Sequence, residues 1–525
     1  MKIYRHSVFP ITLRVALFFF PGISVDAIAD SSCGSSNTNT TISQNETTSC
    51  NLSSGENLTI KKDVSIDVPQ GNDVNDIYDL KYSAVNIGTN HILEKKISIT
   101  SIENNGFLQG TSGVTVTANG SVGRLLNNGT ISGVSGAVWV SGRINTLDNY
   151  GSITANNNPN SFNAIMIKEA IGSNNGPYGY VDTLLNRGSI DGITVIASTL
   201  KTLDNSGILT SLKDNISSNL ATFVIDAGSN VDTFNNDGTV NGPKHGVLVQ
   251  NRGRLGNLNN RSGSKGITVE QDAIQVAGQG EALLDDSSMK PSRIKQITNA
   301  SLLYGKRNGI SIDAKGVVDT ITNAPGGVIR GDKFSINNKG TITHGISNSG
   351  TINGDVELGN ASLYMSGPNA TLKGNVSGSK NSVVTIGGKG ATTENLDLTY
   401  THDMNVGIVK ILSGSALRLG DRNKMGSITS NIDNAGNLYF NHDTTISALN
   451  NSGRVFFGED NKNVGHTLTI ASDYKGNNGT VTLSTVLGGD HSKTDKLVVK
   501  GSTSGSTHLV IKNVGGAGAQ TTEGI

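Results

Sequence analysis

Apolar and polar residues alternate in short runs along most of the chain, and turn-forming residues separate the runs. The runs GVTV (113–116), AVWV (137–140), ITVI (193–196) and GVLV (246–249) have the two-residue period of strands with one buried face. The repeated segments contain no apolar stripe with the 3.6-residue period of an amphipathic helix. The pattern therefore predicts an all-β protein built from many short strands.

One phrase recurs between these strands: an apolar residue, Asn, any residue, Gly, a small residue and an apolar residue. Clear copies are LLNNGTI (125–131), LDNYGSI (147–153), LLNRGSI (184–190), INNKGTI (336–342) and LNNSGRV (449–455). Aligned on the strands, the unit is about 24 to 30 residues long, which is typical of a solenoid whose coils cover each other's apolar rows. An array of antiparallel β-sandwiches is the alternative, but its repeats would be nearer 100 residues.

The recurring Asn and Gly have a structural interpretation. Both residues tolerate left-handed backbone, so we expect them at tight corners between strands. Asparagines at the same corner of successive coils are expected to form a hydrogen-bonded ladder. The predicted fold is a right-handed parallel β-helix over residues 55–465, and about 20 coils at ~4.8 Å spacing would make a rod of roughly 100 Å.

The N-terminal residues 1–29 have the pattern of an export signal. A basic leading part precedes an apolar core over Val15–Val25. Ala27 and Ala29 fit the small-x-small cleavage pattern, and Asp30 is the expected first residue of the mature chain. A short membrane anchor is the alternative, but an apolar run of about 11 residues is too short for a span of about 20.

Two cysteines, Cys33 and Cys50, lie in the Ser/Thr/Asn-rich segment 30–54. In an oxidising compartment we expect them to form a disulfide, which by the loop-entropy model would stabilise an ~18-residue loop by about 3 kcal/mol. Two unpaired thiols are the alternative.

Composition narrows the class of protein. The chain has 66 Gly, 16% charged residues, and 42 basic against 42 acidic residues. A formal charge of zero argues against a nucleic-acid partner, and the absence of a three-residue glycine period excludes collagen. One long repetitive β structure accounts for the glycine excess better than several ordinary domains.

Catalytic and metal-binding patterns are not found in the sequence, so we expect no catalytic residues, cofactor or metal. The histidines and cysteines have no zinc spacing, and three isolated histidines are predicted at the surface: His245, His344 and His402. A β-helical enzyme acting on polysaccharide remains an alternative because such enzymes group charged residues on one outer face. Its candidate carboxylates are Asp285, Asp286, Asp313 and Asp319.

The tripeptide Arg330-Gly331-Asp332 follows an apolar pair at a predicted corner. It is a candidate receptor-binding loop, in which an integrin would read the Asp through a bridging cation. The alternative is a turn that uses Gly for its backbone freedom.

The C-terminal segment 466–525 carries the most specific motifs. Strand-like runs alternate with Gly/Asn/Ser turns in NNGTVTL, LGGD, TDKLVVKG and NVGGAGAQTTEGI. This segment resembles the C-terminal passenger region of monomeric autotransporters of Gram-negative bacteria, of the pertactin and diffuse-adherence adhesin type. The matching positions are Asn477, Gly479, Gly488, Gly489, Asp490, Asp495, Gly501, Gly515, Gly516 and Gly518.

The resemblance implies a pectin-lyase-like β-helix and an autochaperone-like role for 466–525, on which the rest of the passenger would stack during folding. It implies an exported, surface-located adhesin whose partner is a host-cell or matrix receptor, or a neighbouring bacterium. It also implies a translocating outer-membrane barrel, which this sequence does not contain. A truncated, non-functional remnant is a further alternative, and without a barrel we expect the chain in the periplasm.

Overall fold

The computed structural model describes residues 39–71, 79–89, 95–155, 163–169, 178–211, 221–278, 290–388, 394–421, 423–458 and 464–523. The signal segment with Ala27, Ala29 and Asp30 lies outside these residues, as do Cys33, Asp285 and Asp286. The described chain is all-β apart from one 3₁₀ turn, Leu80–Tyr82. The strands pair in parallel into a 24-stranded, a 25-stranded and a 3-stranded sheet, which confirms the parallel β-helix.

Successive coils place their strands on three faces, which we number in chain order. Face 1 contains Asn39–Ile42, Asn57–Ile60, Ile97–Asn104, Gly120–Asn127, Arg143–Asn149, Tyr180–Asn186, Thr199–Asn205, Asn230–Asn236, Arg254–Asn260, Arg293–Asn299, Val317–Asn323, Thr341–Ile342, Ile346–Asn348, Ser362–Met365, Val383–Ile386, Ile408–Ile411, Asn431–Asn434 and Leu449–Asn451. Face 2 contains Ser65–Asp67, Phe107–Gly110, Thr130–Gly133, Ser152–Ala155, Ser189–Asp191, Ile208–Thr210, Thr239–Gly242, Gly266–Val269, Leu302–Gly305, Thr371–Lys373, Asp397–Tyr400, Ala416–Leu419, Asn437–Phe440 and Arg454–Phe457. Face 3 contains Cys50–Leu52, Ser83–Ile87, Ser112–Val116, Val138–Val140, Ile165–Lys168, Ile193–Ile196, Ala221–Asp226, His245–Val249, Asp272–Val276, Asn308–Ile312, Val376–Ser377, Asp403–Asn405, Ser427–Ile428, Thr444–Ile446, Thr467–Ile470 and Lys496–Val499.

Four long strands continue around a corner and so belong to two faces. Val328–Asn338 and Thr351–Glu357 cover faces 2 and 3, whereas Tyr474–Thr485 and Thr503–Asn513 cover faces 1 and 2. Register between coils is strict: Ile144 aligns with Val122 before it and Val181 after it, and all three are fully buried. The hydrophobic core is thus a set of apolar rows that run along the solenoid.

The predicted asparagine ladder is present and long. In each coil the side-chain Nδ2 donates to Oδ1 of the aligned asparagine in the next coil, at 2.7–2.9 Å. The ladder residues are Asn104, Asn127, Asn149, Asn186, Asn205, Asn236, Asn260, Asn299, Asn323 and Asn348, all almost completely buried. Most also donate to a backbone carbonyl of the following turn, as Asn149 does to Ser189 at 3.1 Å.

The reason for glycine at these corners differs from the prediction. Gly129, Gly151 and Gly188 are not among the residues with positive φ. Instead, a Cβ at Gly188 would lie well inside van der Waals contact with the carbonyl oxygen of Gly151 in the coil below, and Gly151 meets Gly129 in the same way. Glycine is therefore required because the corners stack backbone on backbone, and left-handed conformation has no part in it.

The asparagine column is interrupted and then resumes. Beyond Asn348 the aligned residues are Met365, Ile386 and Ile411. The column returns to asparagine with Asn434 and Asn451, whose side chains hydrogen-bond at 2.9 Å.

Candidate folding region and binding surfaces

The last coils contain the most extensive strand pairing in the described chain. Tyr474–Thr485 and Thr503–Asn513 pair in parallel along nearly their whole length, with a register shift between Asn477 and Gly479. Asn478, inside that shift, has a left-handed φ of 59°. The predicted motif residues Asn477 and Gly479 therefore lie at the bulge that carries one strand from face 1 to face 2.

Asp495 is a buried carboxylate that joins three parts of this region. Its side chain is 3% exposed, and one oxygen accepts backbone N–H bonds from Gly465 at 3.0 Å and His466 at 3.1 Å. The other oxygen accepts the N–H of Ser484 at 2.8 Å. Hydrogen bonds from backbone donors to a charged acceptor are strong, and an unpaired buried carboxylate would be costly.

A second carboxylate, Asp490, fixes the C-terminal tail. It lies at the tip of an excursion closed by a bridge between Thr485 and Thr494. Its oxygens accept the backbone N–H of Thr522 at 3.0 Å and of Glu523 at 3.2 Å. The tail is thereby folded back against the excursion.

The structural constraints that favour glycine differ among the motif positions of this region. Gly516 has a φ of 89° and a Cβ there would clash with the carbonyl of Leu487, and a Cβ at Gly501 would lie 2.5 Å from the carbonyl of Ser472. Gly515 and Gly518 have positive φ in open space, whereas Gly489 has neither constraint. The structure thus places all ten motif residues in the last coils, and their folding role stays a prediction.

The apolar rows are open at this end of the described chain. Leu509 aligns with buried Val481 and Ile511 aligns with Leu483, yet Leu509 is 60% and Ile511 53% exposed. The terminal strand therefore has an uncovered edge within the described residues.

The tripeptide Arg330-Gly331-Asp332 lies where the strand Val328–Asn338 turns from face 2 to face 3. Asp332 accepts a hydrogen bond from the Tyr304 hydroxyl at 3.1 Å and an ion-pair contact from Arg330 at 3.3 Å. The Arg330 guanidinium also covers the Tyr304 ring at 4.7 Å. Both charged side chains are about half exposed, but each already has a partner within the protein, and the receptor role stays a prediction.

His245 is buried, which corrects the prediction that it lies at the surface. It is 8% exposed and its Nδ1 lies 3.3 Å from Asp272, in the next coil. Asp272 also binds the Arg307 guanidinium and the Asn308 amide. Burial alone would raise the pKa of Asp272, but the hydrogen bonds from Arg307 and the nearby His245 imidazole hold this pKa at about 2. These contacts among His245, Asp272, Arg307 and Asn308 could not be predicted from the sequence, because inserted loops separate the four residues along the chain.

The two candidate carboxylates of the enzyme alternative that lie within the described residues, Asp313 and Asp319, have partners. Asp319 is 6% exposed and receives two hydrogen bonds from Arg293, at 3.1 and 2.6 Å. Asp313 accepts from Gln275 at 2.8 Å. Among the described residues no group of three or more His, Cys, Asp or Glu side chains is close enough to hold a metal ion. Cys50 is buried and disulfide-bonded, and its pairing with Cys33 stays a prediction.

In the described part of the chain, no helix is long and apolar enough to span a bilayer.

Comparison with known proteins locates the similarity in the C-terminal region. Residues 444–525 match the family model of the type 1 autochaperone domain. The autotransporter adhesin AIDA-I of Escherichia coli is 51% identical over 65 residues, which are 12% of this chain and 5% of that protein. The adhesin BmaC autotransporter of Brucella suis is 46% identical over 59 residues, 11% of this chain and 2% of that protein. A probable autotransporter of E. coli K12, YfaL, is 37% identical over 101 residues, 19% of this chain and 8% of that protein.

These matches, joined to the parallel β-helix, define the class of protein that the chain resembles: it has the fold and the C-terminal region of an autotransporter passenger domain. Its C-terminal coils are similar both to the type 1 autochaperone domain and to a segment of AIDA-I. The matched segments cover a small fraction of those relatives' length, so binding properties do not follow from the similarity.

Proposed function

We propose that this passenger is displayed at the cell surface and mediates attachment to host cells or matrix, or aggregation with neighbouring bacteria. The observation that supports the proposal is the long polar exterior of a rigid solenoid, in which the two described carboxylates of the enzyme alternative, Asp313 and Asp319, already have partners. Two of the matched relatives are named adhesins, but the similarity lies in the folding region and not in a binding surface.

The adhesive function is tested with beads coated with the full chain. Folded chain should promote both attachment to epithelial cells or matrix-coated wells and clumping of the beads, whereas heat-unfolded chain on the same beads should not. Equal attachment and clumping of beads with folded and heat-unfolded coatings would refute the proposal. In the same assay, Asp332→Glu tests the tripeptide: unchanged attachment excludes a receptor role for it.

We further propose that residues 466–525 template the folding of the preceding coils. The long paired strands and the three backbone donors around Asp495 support this role, because an open β-helix end needs a preformed edge on which to add coils. The Asp495→Asn variant should lose about 2 kcal/mol of stability because a charged acceptor is lost, and should refold about tenfold more slowly from denaturant.

The kinetic measurement separates a folding role from simple stabilisation. If Asp495→Asn changes only the unfolding rate, its contacts form after the transition state and the template role is wrong. Asp473→Asn is the matched control, since the side chain of Asp473 is exposed and accepts one backbone N–H, from Ser502 at 2.9 Å.

A further inference from the structure

Arginines on the outer surface usually have a partner within the protein. Arg124 and Arg187 bind Asp148, Arg261 binds Asp237, and Arg418 binds Asp397. Such pairing is expected in a chain with equal numbers of acidic and basic residues. Among the described arginines, four have no carboxylate within ion-pair distance: Arg143, which donates to Asn145 and covers the Tyr180 ring, and Arg252, Arg254 and Arg454.

Two of these arginines lie close together, at the corner between faces 3 and 1. Arg252 and Arg254 lie two residues apart on either side of the buried Gly253. Within the described chain neither guanidinium has a carboxylate within ion-pair distance, and the same holds for Lys295. Arg252 and Lys295 are exposed and Arg254 is half-buried.

Strand register places these side chains side by side. Arg254 aligns directly with Arg293 in the next coil, so the two backbones are about 4.8 Å apart. Lys295 lies two residues further along the same strand and points to the same outer side. The backbone N–H of Arg252 donates to Ser292 Oγ at 3.2 Å, which ties the corner to the start of that strand. We name Arg252, Arg254, Arg293 and Lys295 the cationic cluster.

Among the described residues, the carboxylates on the neighbouring strands and corners are already engaged. Asp226 accepts from Gln250 at 3.0 Å and Asn251 at 2.7 Å. Asp232 accepts from Asn230 at 2.5 Å, and Asp319 is held by Arg293. Like charges on directly opposed strand positions are destabilising, so the arrangement has a cost that a bound anion would relieve.

We propose that the cationic cluster binds an acidic glycan through its sulfate or carboxylate groups. Guanidinium groups present paired N–H donors that match planar or tetrahedral oxyanions, and guanidinium is less strongly hydrated than ammonium. Adjacent coils repeat the cations at a spacing of ~4.8 Å, so a polymer carrying several anionic groups gains more than a single ion does. The inference rests on the proposed adhesive function and names a ligand class for it.

The test measures binding of the full chain to heparin, hyaluronan and uncharged dextran at about 0.15 M salt, where long-range attraction is largely screened. Heparin binding without hyaluronan binding would identify sulfate as the ligand group, and binding of both would identify any glycan oxyanion. Arg252→Gln/Arg254→Gln should weaken binding about tenfold or more, with a shallower salt dependence.

The matched control is Arg454→Gln/Lys475→Gln, which removes two exposed cations from other coils. It should change affinity less than twofold. Four results would each overturn the inference. They are an equal loss of binding in both double variants, no loss in Arg252→Gln/Arg254→Gln, dextran binding equal to that of the acidic glycans, and no glycan binding by the parent chain. The bead assay separates the two proposals: if adhesion persists while glycan binding is absent, the ligand assignment fails and the adhesive function stands.

Discussion

Two regions of the solenoid fill the same corner with different side chains. One region is the coils from Asn104 to Asn348, and the other is the coils that contain Met365, Ile386 and Ile411. In the first region a buried asparagine connects each coil to the next, and at corners such as those of Gly129, Gly151 and Gly188 backbone contact with the coil below requires glycine. In the second region an apolar side chain fills the column. The nearby glycines, such as Gly387 at φ 112° and Gly414 at φ 84°, have left-handed backbone.

The difference teaches that the asparagine ladder is a collective feature. An interior asparagine accepts from one neighbour and donates to the other, so both of its polar atoms are satisfied only when the column continues. At the ladder's end, Asn348 Nδ2 lies 3.4 Å from the Met365 sulfur, which is a weak acceptor, and it is satisfied mainly by backbone carbonyls. An apolar side chain needs no hydrogen-bond partner in the next coil, so an apolar column does not depend on being continued.

The largest expected effect on the free energy of unfolding distinguishes two reasons for glycine, which are close backbone contact and left-handed backbone. Gly188→Ala should cost about 3 kcal/mol of unfolding free energy or more, because its Cβ meets a backbone carbonyl that cannot move without shifting a coil. Gly228→Ala is the matched control: Gly228 has a φ of 77° but no atom within 4 Å of the added Cβ. We expect about 1–2 kcal/mol there. Denaturant unfolding of both variants checks the order, and equal losses would refute the stacking explanation.

The next effect tests whether the ladder must be continuous. Ile386→Asn should cost about 3 kcal/mol, because Met365 and Ile411 offer the new amide no good partner, whereas Ile386→Val should cost about 1 kcal/mol. Replacing all three apolar residues by Asn would connect Asn348 to Asn434 through one column.

The triple variant should therefore lose less stability than the sum of the three single variants, by 1 kcal/mol or more. Simple additivity in the unfolding free energies would show that each amide acts alone, against the collective interpretation.

The sequence predicted the ladder because Asn-x-Gly copies recur at nearly constant distance from alternating strands. Its interruption was harder to foresee, since Met365, Ile386 and Ile411 look like ordinary core residues until the strand register is known. The same limit applies to Asp495, whose three backbone donors come from segments about 11 to 30 residues away. Local pattern determines the strands, but polar contacts between coils depend on loop lengths that no local pattern specifies.

The smallest effect concerns charge within the ladder coils. Asp191 ends a face 2 strand, and burial raises its pKa to about 6 although the Ala155 N–H bond opposes the shift. Because the folded-state pKa is raised, the carboxylate destabilises the fold increasingly as pH rises from about 4 to 6. Allowing for partial exposure, Asp191→Asn should stabilise the chain by about 1 kcal/mol at pH 7.5 and have almost no effect at pH 4. Asp237→Asn, at an exposed position, should stay within about 0.5 kcal/mol at pH 7.5. A gain at Asp191 that persists at pH 4 would show that the amide adds hydrogen bonds to the coil, and that the buried charge is not the cause.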